Sequence, residues 1–85
     1  GMSEPMKITQ SWPAGAVIKE VHRMTDAEAR DIGWDERNYS STEMTAVIVL
    51  EGGGWITASA DPEQNRGGCL VAEDPEGTAC YVWPT

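Results

Sequence analysis

The chain has 85 residues and a formal net charge of −8, and 40% of its residues are hydrophobic. A chain of this length forms one small domain with a thin core, which excludes multi-domain enzymes and folds built from repeated βαβ units. Its C-terminal half carries Arg66 as its only cation. Because nucleic-acid binders neutralise phosphates with clustered Lys and Arg, we expect no direct binding to nucleic acid or to an anionic membrane surface.

The longest apolar run covers residues 46–50, far short of the roughly 20 residues of a membrane helix. No basic-then-apolar export signal is present at the N-terminus, so the expected location is cytoplasmic. Gly1, ahead of Met2, is typical of a cleavage scar left by recombinant expression. Cys69 and Cys80 are expected to be free thiols, because the predicted strand pairing does not place them opposite each other.

Residues 1–14 are predicted to form an N-terminal arm, with a short extended piece at residues 6–10 and Trp12 holding the arm to the body. Residues 15–85 are predicted to form a single β-rich domain. Its first strand covers residues 16–24. Thr25 and Glu28 have the spacing of a capping box, which predicts a short helix that ends at Gly33.

Residues 35–43 form a polar connection without periodicity. Residues 44–51 and 55–60 flank three consecutive glycines, which predicts a β-hairpin. A two-residue loop would pair Leu50 with Trp55 and Val49 with Ile56. Both faces of this hairpin are apolar, so we expect a layer of the molecule, or a partner chain, against each face.

A turn-rich loop over residues 61–68 leads into a strand at residues 69–73. Asp74, Pro75 and Gly77 then have the positions of a type I turn before a last strand at residues 78–83. Five short strands and one helix between the first and second predict a mainly β protein, a small five-stranded SH3-like barrel, because closure removes sheet edges. An open α+β sheet with the helix on one face is the alternative.

Few residues have a pattern typical of chemistry. His22 is the single histidine, and it has no Cys pair or carboxylate at ligand spacing in the sequence. Asp61, Glu63 and Asn65 resemble the start of a calcium loop, but Arg66 stands where that loop needs glycine. We therefore predict no catalytic residue, no cofactor and no metal site, and a protein that is not an enzyme.

Four tryptophans suit a domain this small chiefly as core residues. We expect Trp34 and Trp83 in the core, and Trp55, beside the triple glycine, as the exposed one. An exposed aromatic side chain is a typical anchor for a protein partner. Packing of Trp55 against Leu50 is the other interpretation.

Several strings of the chain resemble those of a group of small uncharacterised bacterial and archaeal proteins. The strings are Thr25-x-x-Glu28, Gly33-Trp34, residues 47–50, and Ser59-x-Asp61-x-Glu63-x-Asn65. The resemblance covers residues 17–73 and implies no catalytic residue, because that group has no assigned activity. Residues 52–55 depart from its usual acidic-Gly-Thr turn.

The sequence predicts a non-enzymatic protein–protein interaction or assembly module, with a protein partner or self-association. Candidate partner-binding residues are Trp55, Asp61, Glu63 and Asn65. Two alternatives stay open. The negative charge suits an acidic regulator that occupies a basic nucleic-acid-binding protein, and the acidic loop suits a cation-binding or small-ligand-binding domain.

Overall fold

The computed structural model describes residues 7–58 and 70–84. The elements in these ranges are β1 Lys7–Thr9, β2 Ile18–Arg23, α1 Asp26–Asp31, a 3₁₀ helix Glu36–Met44, β3 Ala46–Leu50, β4 Trp55–Ala58, β5 Leu70–Glu73 and β6 Ala79–Val82. Neither helix in this part of the chain has the length and apolar character needed to cross a membrane.

The described strands form one mixed sheet in the order β1-β6-β5-β4-β3-β2. β1 is parallel to β6, and every other neighbouring pair is antiparallel. Because β1 and β2 lie at opposite ends and do not pair, the described sheet is open. The predicted five-stranded barrel is therefore wrong, and the open sheet with one short helix fits the structure.

The additional strand explains this difference. β1 lies inside the predicted N-terminal arm and pairs with β6, with Ile8 opposite Tyr81. Parallel pairing between segments so far apart in the chain has no local turn that sequence patterns could reveal. The arm therefore adds β1 to the outer side of β6. The barrel prediction had instead closed the last strand of the chain against its first predicted strand.

The capping box predicted for α1 is confirmed. The Thr25 hydroxyl accepts a hydrogen bond from the Glu28 amide at 3.1 Å, and the Glu28 carboxylate accepts one from the Thr25 amide at 2.9 Å. The helix ends before Gly33, whose φ is +84°. Trp34 then folds back, and its amide donates to the Ala29 carbonyl at 2.9 Å.

The predicted irregular connection after α1 forms the 3₁₀ helix Glu36–Met44. The Asp35 carboxylate caps it by accepting from the Arg37 amide at 3.0 Å, and the buried Thr42 hydroxyl donates to the Tyr39 carbonyl at 2.9 Å. The mainly polar segment has no apolar periodicity for sequence analysis to detect. Local hydrogen bonds define this helix.

The hairpin predicted at the triple glycine is confirmed, but its register differs by one residue. Trp55 lies opposite Val49, and Ile56 lies opposite Ile48. The Leu50 amide donates to the Gly54 carbonyl at 3.0 Å, so three residues rather than two form the loop. A shift of one residue exchanges the two faces of a strand. It therefore moves Trp55 to the face opposite the predicted one.

Each face of the sheet carries a buried cluster, as the two apolar faces of the hairpin predict. The cluster on the helix side contains Met24, Ala29, Ile32, Val47, Trp55 and Val71, and the cluster on the other side contains Leu50, Ile56, Ala72 and Cys80. Trp34 packs against the first cluster and Trp12 against the second. Trp12 thus holds the segment after β1 to the body, as predicted.

The turn between β5 and β6 is also confirmed. The Gly77 amide donates to the Asp74 carbonyl at 2.9 Å. The Asp74 carboxylate accepts from the amides of Glu76 and Thr78 at 3.0 and 2.9 Å. These bonds fix the reversal that places β6 beside both β5 and β1.

Candidate interaction surface

β2 lies at one end of the sheet, and among the described residues no strand pairs with its outer side. Its two ends bond inward to the β3 hairpin strand: the Val17 carbonyl accepts from Glu51 at 2.8 Å, and the Met24 amide donates to Thr45 at 2.9 Å. Backbone groups of an antiparallel strand point alternately to its two sides. A further strand therefore has hydrogen-bonding groups available along this edge.

The alternation identifies which residues face outward. Ile18 follows the inward Val17, and Val21 and Arg23 alternate with the inward Met24. The alternation counted from Val17 and the alternation counted from Met24 are out of step by one residue. The bulge between Ile18 and Glu20, where the register shifts, accounts for this difference. We assign outward backbone groups to Ile18, Val21 and Arg23.

The same edge exposes aliphatic side chains. Ile18 is 58% exposed and Val21 is 61% exposed. They pair with Leu50 and Ile48 respectively, which are packed in or against the cluster on the face opposite α1. Ile18 and Val21 therefore continue that apolar face outward to the free edge. A long edge with exposed apolar residues is a template for pairing with another chain.

On the helix side of β2, His22 lies between two carboxylates. Its Nε2 atom is 2.9 Å from Oε2 of Glu28, and its Nδ1 atom is 3.1 Å from Oε2 of Glu20. These contacts raise the pKa of His22 above its ordinary value, with the Glu28 hydrogen bond as the main cause and the Glu20 bond as the second. His22 thus ties the edge strand to the first turn of α1.

Only the imidazolium form can donate from both ring nitrogens, so the two carboxylates together favour a protonated ring. The carboxylates meet opposite sides of the ring and do not converge on one point. Within the described ranges, no group of three His, Cys, Asp or Glu side chains is arranged to hold a metal ion. The arrangement of His22, Glu20 and Glu28 is a charged contact between two elements.

Sequence analysis considered only metal-ligand spacing around His22 and did not predict this contact. The signal was present, because His22 precedes the helix N-cap by three residues and Glu28 follows it by three. In a capping box the third helical residue folds its side chain back toward the N-cap. That brings the Glu28 carboxylate to the end of β2.

The opposite end of the sheet has a shallow depression of about 240 Å³. It is lined by Lys7, Thr9, Trp12, Asp74, Pro75 and Glu76. Lys7 forms an ion pair with the largely buried Asp74, whose pKa lies below its ordinary value mainly because of Lys7 and then because of the Thr78 amide. The two charges satisfy each other, so the depression has the character of a structural contact.

Two expectations about tryptophan exposure are wrong. Trp55 is only 9% exposed, and its indole donates to Glu73, whose pKa is raised, mainly by burial. The changed hairpin register placed Trp55 under the helices. Trp83 is 47% exposed, because the helical layer packs on strands nearer the other end of the sheet. Partner binding by Trp55 stays a prediction, but its side chain is largely buried in this structure.

The other candidate residues, Asp61, Glu63 and Asn65, lie outside the described residues, as does Cys69. Cys80 is a free cysteine and fully buried. Burial raises the pKa of its thiol, so the neutral form is favoured.

Comparison with protein-family models, curated proteins and solved structures found no match. The resemblance to small bacterial and archaeal proteins stays a prediction. The arrangement of the described residues is therefore the basis for any functional proposal.

Proposed function

We propose that the protein is a non-enzymatic interaction module that adds a strand of a protein partner to the outer edge of β2. The observation that supports this function is the exposure of Ile18 and Val21 beside outward backbone groups on an edge strand. Backbone hydrogen bonds supply affinity in this mode of recognition, and alternate side chains supply specificity. The β2 edge offers outward backbone groups for such hydrogen bonds and the exposed side chains of Ile18 and Val21 for such contacts.

The chemistry at the edge agrees with a partner strand rather than a small molecule. Ile18 and Val21 offer aliphatic surface on one face, and no cavity is needed to hold a strand that lies beside them. On the other face, the contact between His22 and Glu28 holds β2 against α1. An edge held in place before binding loses less conformational entropy when a partner adds.

The test is affinity capture from the native cell with three baits: the unaltered protein, Val21→Lys and Leu70→Lys. Leu70 is an exposed aliphatic residue on the interior strand β5, so its variant controls for added charge and lost apolar surface. We expect the same proteins to be retained by the unaltered and Leu70→Lys baits and lost with Val21→Lys. Retention of the same proteins by all three baits would show that they do not bind at the β2 edge.

Hydrogen exchange locates the contact directly. In the dilute, monomeric protein the amides of Val21 and Arg23 point outward, so they should exchange fast, and in the captured complex they should slow. Unchanged exchange of both amides in the complex would contradict strand addition.

The acidic-regulator alternative predicts a different outcome in the same capture. The captured proteins would be basic and would dissociate from the bait as the salt concentration rises. Their retention would be the same on the Val21→Lys bait as on the unaltered one.

A further inference from the structure

We propose that one partner of the β2 edge is a second copy of this chain, paired antiparallel about a two-fold axis that lies between residues 19 and 20. This inference rests on the proposed function and names its partner. It comes from the order of residues 18–21 along the edge, which is apolar, basic, acidic, apolar: Ile18, Lys19, Glu20, Val21.

A two-fold axis brings each residue opposite a different residue of the other copy, so the segment must complement itself. With the axis between residues 19 and 20, Ile18 lies opposite the partner's Val21, and Lys19 lies opposite the partner's Glu20. Aliphatic pairs and opposite-charge pairs across antiparallel strands both stabilise a sheet. Each of the four side chains therefore meets a favourable neighbour.

The backbone agrees with the same register. Ile18 and Val21 both direct their backbone groups outward, although three positions separate them, because the bulge lies between them. When two copies pair about this axis, the outward Ile18 of one faces the outward Val21 of the other. The irregular spacing is thus matched by the identical spacing of the second copy.

Other registers lack this agreement. An axis through Val21 puts Arg23 opposite the partner's Ile18, because residues 19 and 20 share one position at the bulge, and a charged side chain then meets an apolar one. An axis one residue further along, through His22, puts Val21 opposite the partner's Arg23, so the apolar side chain meets a charged one. Only the axis between residues 19 and 20 pairs the aliphatic residues with each other and the charges with their opposites.

The paired sheet would also cover exposed surface. Ile18 and Val21 lie on the face opposite α1, and an axis perpendicular to the sheet keeps that face the same in both copies. The four side chains then form one continuous apolar stripe across the junction, while the helices of both copies lie on the other face.

Charge exchange tests the register. Lys19→Glu would place acidic residues opposite each other in two positions, and Glu20→Lys would place basic residues there. Each variant alone should dimerise about tenfold more weakly than the unaltered chain, because two attractive pairs become repulsive. An equimolar mixture should restore association, since residues 19 and 20 of one variant are then opposite in charge to those of the other.

Sedimentation equilibrium between micromolar and millimolar concentrations measures these constants, with circular dichroism to check that each variant is folded. Arg37→Glu, the same charge change on the 3₁₀ helix, is the control and should leave association unchanged. A chain that stays monomeric at millimolar concentration overturns the second-copy inference, as does a mixture that fails to restore association. The capture experiment decides the proposed function separately, because it scores other proteins by their sensitivity to Val21→Lys.

Discussion

The two ends of the sheet differ in the side chains that surround them. The described part of β1 covers three residues, and side chains around it hold its end of the sheet: Lys7 pairs with Asp74, and Trp12 packs against the buried cluster behind it. β2 is six residues long and fixed on its helix side by His22, yet its outer side carries exposed Ile18 and Val21.

Among the described residues, side chains hold the β1 end of the sheet, whereas exposed aliphatic residues lie along the outer side of β2. A short edge strand tied down by neighbouring side chains offers little template for another chain. A longer edge with aliphatic side chains and outward backbone groups offers a good one. Substitutions that loosen the β1 end should therefore change stability, and substitutions on the outer side of β2 should change association.

The largest stability effect is expected at Gly54, where the segment after β1 meets the hairpin loop. A Cβ atom there would lie 2.6 Å from Cζ2 of Trp12 and 2.9 Å from the Glu73 carbonyl oxygen, and the φ is +91°. Steric crowding and the strained φ together should lower the free energy of unfolding by about 3 kcal/mol in Gly54→Ala.

Gly52→Ala is the matched control for this substitution. Gly52 has a similar φ of +85°, but no atom lies within 4 Å of the position that a Cβ would take. Gly52→Ala should therefore lower the free energy of unfolding by only about 1 kcal/mol. Urea unfolding of both variants gives the difference. Equal losses would mean that Trp12 does not lie against Gly54.

The second effect concerns the ion pair beside β1. Asp74→Ala removes the acceptor of two backbone amides and of Lys7. The free energy of unfolding at pH 7 should fall by about 2 kcal/mol.

The pH dependence of this loss has a defined sign. The pKa of Asp74 is lowered in the folded protein. Its contribution is therefore fully present above the unfolded pKa of about 4 and is lost as pH falls through the folded pKa. Urea titrations of both proteins at pH 7 and at pH 3 check this: a difference between them that does not shrink at low pH would oppose the assignment.

The smallest effect is expected at the β2 end. His22→Gln should lower the free energy of unfolding by about 1 kcal/mol at pH 5.5, since the charged hydrogen bonds are partly exposed. The pKa of His22 is raised in the folded protein, so its contribution is complete below the unfolded pKa of about 6.5 and is lost as pH rises through the folded pKa.

Proton NMR titration of this single histidine measures the pKa itself, and unfolding at pH 5.5 and at high pH measures its contribution. A pKa at or below 6.5, or a His22→Gln loss that grows with pH, would contradict the contact with Glu28 and Glu20. Because the side chain of His22 lies on the helix side, the substitution should leave backbone groups at the outer edge in place.

Local patterns in the sequence predicted the local structure well. The capping box at Thr25, the reversal at Gly33, the triple-glycine hairpin and the turn at Asp74 are all confirmed, because each depends on hydrogen bonds or backbone angles within a few residues. The two apolar faces of the hairpin also correctly indicated a layer on each side.

Contacts between distant segments needed the tertiary structure. The parallel pairing of β1 with β6, and with it the open sheet, depends on segments more than seventy residues apart. The one-residue change in hairpin register exchanged the positions of Trp55 and Ile56, because a strand's faces alternate at every residue. Sequence patterns constrain that choice weakly when both faces are apolar.

The sequence by itself determined the mainly β character, the net negative charge and the positions where the chain turns, since these follow from composition and short-range bonding. Only the tertiary structure decided which of the described strands lie at the ends of the sheet, and thus where Ile18 and Val21 are exposed. Exposure depends on what packs against a residue, and packing joins residues whose separation along the chain no local pattern records.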